Sequence, residues 1–343
     1  MILLSQIKIK KTQRYKCLNC GSTFSIRKSP LHHYSQSFII KTIRNYISES
    51  VTLRALASEM KASKSSILNW LNQLGQKALT PLEVAQILKP TWDGVLLIDA
   101  KFTGSFVIMI ALDYHTGDPF HYHLCSKEDK ENFRTFLTTI KDKFHYLPKA
   151  IVSDQGRGNS LVELIREIFP NAIHQLCTIH FSRFVKMTVP KSKKGKFYTT
   201  NKMFYDDLSK IFHATDKQTA NYYFKELLRK KNIYNQKYHK TILKSLTQTY
   251  DLFTHYLLHP FIPKDTNKME NVNRQLERRL KVTDTFQSFK TLNNLLKLWF
   301  IWFRFQPLKN PIDKNHNNKS RLNLANVVTT NIDWLKFALN RHT

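Results

Sequence analysis

Apolar residues recur along this chain with two periods, and the change between them marks its organisation. From Ser35 to Ser48, Phe38, Ile39, Ile43, Tyr46 and Ile47 form one helical stripe, and after Val51 a second holds Leu53, Leu56, Ala57 and Met60. A third helix is predicted from Ser63 to Gly75, with a Ser cap, an Ile67/Trp70/Leu71/Leu74 stripe and a closing Gly. The short turn Lys61-Ala62-Ser63 makes a helix-turn-helix region over residues 35–80, with Lys64, Ser65, Asn69 and Gln73 free to face a major groove. A plain helical hairpin with a solvated basic face is the alternative.

After Pro81 and Pro90 the pattern becomes that of strands. Gly94-Val95-Leu96-Leu97-Ile98 is an apolar run ending at Asp99, as in a fully buried strand. A second strand is expected at about 105–112, turn residues at 113–118, and a third strand from Phe120 to Cys125. Phe133, Phe136, Leu137, Ile140 and Phe144 then share one helical face, and Ala150-Ile151-Val152-Ser153 is a short strand ending at Asp154. Leu161, Leu164, Ile165 and Ile168 mark a helix before a last strand at about 172–178. The order β-β-β-α-β-α-β is that of a ribonuclease-H-like α/β fold, a mixed sheet flanked by helices, in which strands one and four end side by side.

From Phe181 to about Pro263 the chain is rich in Lys and aromatic residues and reads as an all-helical insertion, with Phe204, Leu208, Ile211, Phe212, Tyr223, Leu227 and Leu228 as candidate buried positions. A helix capped by Thr266 or Asn267 follows, and another from Phe286 to Phe305, so the α/β domain covers about 90–305. The Asn- and Lys-rich segment 306–343 is expected to be irregular in part. No internal repeat is visible.

Charge narrows the partners. The 343 residues carry a formal charge of +29, and residues 1–90 hold fourteen Lys or Arg against Glu49, Glu59 and Glu83. Such a balance points to a polyanion, first of all double-stranded DNA. No membrane partner is expected, because the longest late apolar run, Leu295 to Phe305, is broken by Lys297 and Arg304. Four unevenly spaced cysteines, Cys17, Cys20, Cys125 and Cys177, argue against a secreted disulfide framework. An intracellular protein is expected, cytoplasmic and nucleoid-associated, or nuclear in a eukaryotic host.

Carboxylates at the ends of buried strands are costly unless paired or bound to metal, so Asp99 and Asp154 suggest a divalent-cation site. Phosphodiester chemistry with two Mg²⁺ or Mn²⁺ ions uses oxygen ligands and gains from a third carboxylate. Glu270, in the first turn of the helix after Thr266, is the candidate; Met269, Val272, Leu276 and Leu280 would pack that helix on the sheet, with Asn273, Arg274 and Glu277 on Glu270's face. Asp113 and Asp118 are rival acids, but both sit in a turn, where Asp is common for backbone reasons.

Taken together, Leu97-Ile98-Asp99, Val152-Ser153-Asp154-Gln155-Gly156, Cys177-Thr178-Ile179-His180, and Thr266-Asn267 followed by Glu270, Asn273 and Arg278-Arg279 resemble the Mutator-like transposases and their bacterial insertion-sequence relatives of the D-D-E type, over residues 90–305. The resemblance implies Asp99, Asp154 and Glu270 as catalytic metal ligands, Cys177, His180 and Asn273 in support, cutting of transposon ends, joining of the 3′-hydroxyl to target DNA, and a homo-oligomer in the synaptic complex. Arg274, Arg278, Arg279 and Lys281 would meet phosphates beside the site, with Lys186, Lys191, Lys193, Lys194, Lys196 and Lys202 of the insertion, a solvated basic face being the alternative for each. Residues 1–34, with Cys17 and Cys20, resemble one knuckle of the family's zinc ribbon; no upstream cysteine pair is present, which fits a truncated start, and His32 and His33 are poorly spaced to replace it. Structural zinc is therefore not expected, and Cys177 with His180 is expected to order the site rather than bind zinc. A non-joining nuclease of the same fold and a transposase-derived DNA-binding regulator without catalysis are the alternative readings.

Overall fold

The computed structural model describes residues 2–3, 14–16, 18–25, 34–49, 51–155, 160–282, 288–311 and 313–339; Cys17, His32 and His33, and with them the zinc question, lie outside these residues. Near the N-terminus, β1 (Ile2–Leu3), β2 (Arg14–Lys16) and β3 (Thr23–Ser25) form a small antiparallel sheet, with Cys20 exposed between β2 and β3.

Four helices follow, each opened by a hydroxyl cap. In α1 (Gln36–Ser48), α2 (Leu53–Glu59), α3 (Lys64–Lys77) and α4 (Pro81–Leu88), the side chains of Ser35, Thr52, Ser63 and Thr80 accept from the backbone N–H three residues on. The buried positions match the helical stripes: Ile39, Ile43, Tyr46 and Ile47 on α1, Leu53 and Leu56 on α2, and Ile67, Trp70, Leu71 and Leu74 on α3.

Next come β4 (Val95–Thr103), β5 (Phe106–Asp113), β6 (His121–Cys125), α5 (Lys130–Asp142), β7 (Ala150–Ser153), α6 (Ser160–Ile168) and β8 (Ile173–Leu176). The sheet order is β6-β5-β4-β7-β8, with β4, β5 and β6 antiparallel and β7 and β8 parallel to β4. One boundary differs from expectation. β4 does not end at Asp99 but runs on to Thr103, paired with β5 alone, because β7 pairs with it only from Val95 to Leu97.

After β8 the chain is helical: α7 (Thr178–Thr188), α8 (Tyr198–Phe212), α9 (Lys217–Arg229) and α10 (Lys237–Thr249), with a core that includes Phe181, Phe204, Leu208, Ile211, Leu227, Tyr234, Ile242 and Leu246. It returns to the sheet with α11 (Asn267–Lys281) and α12 (Phe289–Phe305). Two cores therefore sandwich the sheet. Leu96, Ile98, Val107 and Met109 pack on α5 and α6, whereas Val95, Leu97, Ile108 and Ile110 pack on α11, α12 and the N-terminal helices.

Gly75 does not close α3, which continues to Lys77; it marks where α3 meets α12, since a Cβ there would lie 2.5 Å from the Asn294 carbonyl oxygen. The segment after Pro307, expected to be irregular in part, folds back through α13 (Arg321–Leu324) and α14 (Trp334–Ala338), burying Leu322, Trp334, Leu335, Ala338 and Leu339 against α12.

Candidate active site

Three distant segments meet in a cleft of about 450 Å³ lined by Asp99, Lys101, His180, Arg183, Glu270, Asn273, Arg274 and Glu277. β4 supplies Asp99 and, two residues on, Lys101. β7 pairs in parallel with β4 as far as Leu97 opposite Val152, and Asp154 follows directly after β7, near enough for its charge to act on Asp99. α11 lies along β4 with Met269, Val272, Leu276 and Leu280 buried beneath it. Its other face then matches the strand: Asn273 Nδ2 donates to Asp99 Oδ2 at 2.7 Å, and Lys101 Nζ donates to Glu277 Oε2 one helical turn later at 2.9 Å. Glu270, a turn earlier, lies 2.6 Å from the guanidinium of Arg183 on α7.

The two ends of the helical insertion are tied at this point. Cys177 N–H donates to Ser153 O at 2.8 Å and Thr178 N–H to Lys264 O at 3.1 Å. The buried Cys177 Sγ lies 3.4 Å from Thr266 Oγ1, so Thr266 is engaged with Cys177 and does not cap α11 through its side chain. Asp265 instead accepts from the Asn267 N–H at 3.0 Å.

The electrostatics reflect crowded acids. Burial raises the Asp99 carboxyl to about 6; His180 opposes this, Asp154 adds to it, the Ala100 N–H opposes it and Glu270 adds again. His180 is raised to about 9, first by its hydrogen bond with Cys177, against burial, and then by the charges of Cys177, Asp99 and Asp154. Burial alone would raise the Cys177 thiol, but the hydrogen bond with His180, its charge and the contact with Thr266 bring it below its ordinary value. Lys281 and Lys101 together hold Glu277 at about 2. Among the described residues, no three His, Cys, Asp or Glu side chains converge closely enough to hold one ion as they stand. Among the described residues, the buried Asn273 Oδ1 atom has no hydrogen-bond partner, beside acids that offer only oxygen.

Residues 119–301 match the family model described as transposase, Mutator family, and that stretch is more than half of the 343 residues. The chain belongs to the Mutator family of transposases. It is 28% identical over 175 residues to the transposase for insertion sequence element IS256 in transposon Tn4001, from Staphylococcus aureus and from Enterococcus faecalis, covering 50% of this chain and 42% of the relative. With the transposase for insertion sequence element IS905 of Lactococcus lactis subsp. lactis it shares 22% identity over 190 residues, covering 54% of this chain and 45% of the relative. The matched stretch therefore spans less than half the length of these curated relatives. The Mutator-family match takes in Asp154, Cys177, His180 and Glu270, while Asp99 lies upstream of it.

The other expected residues of this family member separate by environment. Arg274 lines the cleft and Arg278 is exposed a turn later. Arg279 does not fit its expected DNA contact. It is only 2% exposed, its guanidinium stacks 3.9 Å over the Tyr46 ring, and it donates to the carbonyls of Tyr46, Glu49 and Val51, closing the C-terminal end of α1. On α3, Asn69 is exposed and Lys64 half-buried; Lys186, Lys191, Lys193, Lys194, Lys196 and Lys202 are all exposed. Asp113 and Asp118 are buried away from the cleft. Sequence reasoning missed Arg183 and Lys101. Spacing held the signal: Arg183 is three residues beyond His180 on one helical face, and Lys101 two beyond Asp99 on one strand face.

Proposed function

We propose that this chain is a D-D-E DNA transposase in which Asp99, Asp154 and Glu270 hold two Mg²⁺ or Mn²⁺ ions on a ribonuclease-H-like core. The observation that carries this reading is that Asp99 and Glu270 line one cleft rimmed by basic side chains, with the charge of Asp154 also acting on the Asp99 carboxyl. Three acids from separate elements would repel one another there without a cation. The donor set is all oxygen, which suits Mg²⁺, and the unpartnered Asn273 Oδ1 adds one more oxygen beside it. Divalent ions bound by these residues would activate the attacking oxygen and stabilise the leaving one.

The chain's own groups do the rest. Asn273 fixes the Asp99 carboxylate through its amide, and cationic His180 offsets the repulsion among the acids. Arg274 and Arg278 would meet the DNA backbone at the cleft, and α1 to α3 would act as a helix-turn-helix region, with Lys64 on phosphate and Asn69 on a base edge. In this reading water cuts the transposon end, and the freed 3′-hydroxyl attacks a target phosphodiester within a homo-oligomeric synaptic complex. The +29 charge supports a DNA partner, and among the described residues no helix is long and apolar enough to cross a membrane.

Purified protein with labelled element-end DNA and Mg²⁺ tests this. Asp99→Asn, Asp154→Asn and Glu270→Gln should each lower cleavage and joining at least about 100-fold while DNA binding persists. Nicked DNA without joined product would identify a nuclease of the same fold. Unchanged activity in any variant removes that residue from the site.

A further inference from the structure

Glu270 and Glu277 both face the cleft, yet their counter-ions differ. Glu277 is held by two lysines, at 2.9 Å from Lys101 and 2.8 Å from Lys281. Glu270 faces the single guanidinium of Arg183, which comes from the first helix of the insertion and whose side chain is 53% exposed. Guanidinium has five donors in a planar fork that matches phosphate as well as carboxylate. Partly exposed ion pairs of this kind contribute little stability, so exchange of partners is cheap.

Resting on the three-acid reading above, we propose that Arg183 is an exchangeable counter-ion: it neutralises Glu270 while the site lacks metal, and moves to a DNA phosphate oxygen when a divalent cation takes Glu270. Arg183 is placed for this by its helix, because α7 begins at the Cys177–Thr266 junction and its next turn carries the residue to the cleft wall. The exchange leaves both groups paired: the cation replaces the guanidinium at the carboxylate, and the guanidinium meets the charge that DNA brings. It is a positioning role, acting on Glu270 and on the backbone of the substrate.

The test is Mn²⁺ binding to the full chain without DNA, followed by element-end DNA binding in Ca²⁺ across a salt series. Arg183→Gln should bind Mn²⁺ about three- to fivefold more tightly, as loss of a weak competing ion pair allows. Its DNA affinity should fall with a salt slope smaller by about one. Arg183→Lys keeps the charge and should hold Mn²⁺ affinity near that of the parent, which a merely structural role would not distinguish. Unchanged Mn²⁺ affinity in Arg183→Gln, with Mn²⁺ binding lost in Glu270→Gln, overturns the exchange and leaves the three-acid site standing. Unchanged Mn²⁺ binding in Glu270→Gln as well overturns both.

Discussion

Two groups of carboxylates lie on or beside the β4–β5 pair and are treated in opposite ways. Asp113, opposite Leu96 on the β4–β5 ladder, is fully buried and accepts from the Asp93 and Gly94 N–H groups at 3.0 and 3.3 Å, from Thr116 N–H and Oγ1 at 3.2 and 2.8 Å, and from Tyr146 Oη at 2.8 Å. Asp118, equally buried, accepts from Arg304 Nε and Nη2 at 2.7 and 2.8 Å and from Trp92 Nε1 at 3.0 Å. Farther along the ladder, Asp99 accepts from the Asn273 amide and the Ala100 N–H, and Glu270, on the facing α11, pairs with the partly exposed guanidinium of Arg183. The first group is saturated by fixed donors and ties turn, sheet and α12 together. The second has fewer donors, and that of Glu270 is a guanidinium that solvent reaches. Number and exposure of partners, rather than the presence of acid, separate an architectural cluster from a site.

The largest effect should come from breaking the saturated cluster. Asp118→Ala leaves Arg304 buried without its counter-charge and should destabilise the chain by about 3–5 kcal/mol. Asp99→Asn should do the reverse in metal-free protein. Its folded-state value of about 6 lies above the ordinary carboxylate value. The stability it contributes is therefore present at low pH and lost as pH rises through about 6, so the amide should restore stability at pH 8 and change little below pH 4. Denaturant melts of both variants at the two pH values measure this. Equal losses in the two would erase the distinction.

Much of this contrast was within reach of the sequence. Apolar runs closed by Asp99 and Asp154 marked two acids of the proposed site, and periodic stripes marked the helices and the β-β-β-α-β-α-β order. Asp113 and Asp118 were separable by their turn context alone. What stayed hidden depended on neighbours distant in the chain. β4 looked finished at Asp99 because its second half, with Lys101 and Phe102, loses β7 and its two-sided burial. Gly75 looked like a helix stop because its reason, the backbone of Asn294, is on α12. Arg279 looked like its exposed neighbour Arg278, since only the arrival of α1 decides which of two adjacent arginines is buried.

The sheet and the insertion can also be compared through buried histidines. His121 stacks on Phe136 at 5.4 Å, and His239 tilts against Phe204 at 4.6 Å; among the described residues neither ring nitrogen of either has a hydrogen-bond partner. Burial, aided by His123, pushes His121 down to about 3, and burial pushes His239 down to about 4. A depressed folded-state value means stability that is full above about pH 6.5 and lost as pH falls toward the folded values. His121→Phe keeps the aromatic stack and should reduce the drop in Tm between pH 7.5 and pH 5 by about 2–4 °C. An unchanged drop would locate the acid sensitivity in the insertion, where His239→Phe is the matching probe.

The smallest effect separates exposed from buried arginines on a single helix. Arg274 and Arg278 point to solvent from α11, whereas Arg279 spends its guanidinium on three carbonyls and the Tyr46 ring. A phosphate contact is read by the salt dependence of binding, because each neutralised phosphate releases condensed counter-ions and contributes about one to the slope of log affinity against log salt. Arg274→Ala and Arg278→Ala should therefore each lower that slope by about one, across DNA sequences alike, with Tm unchanged. Arg279→Ala should leave the slope of the folded fraction intact and lower Tm, since it exposes the end of α1 and empties a packed position between α1 and α11. Salt titrations of the three variants on one DNA duplex, each paired with a melt, decide the matter. A reduced slope with an unchanged Tm for Arg279→Ala would mean that α1 swings away to free this arginine for DNA.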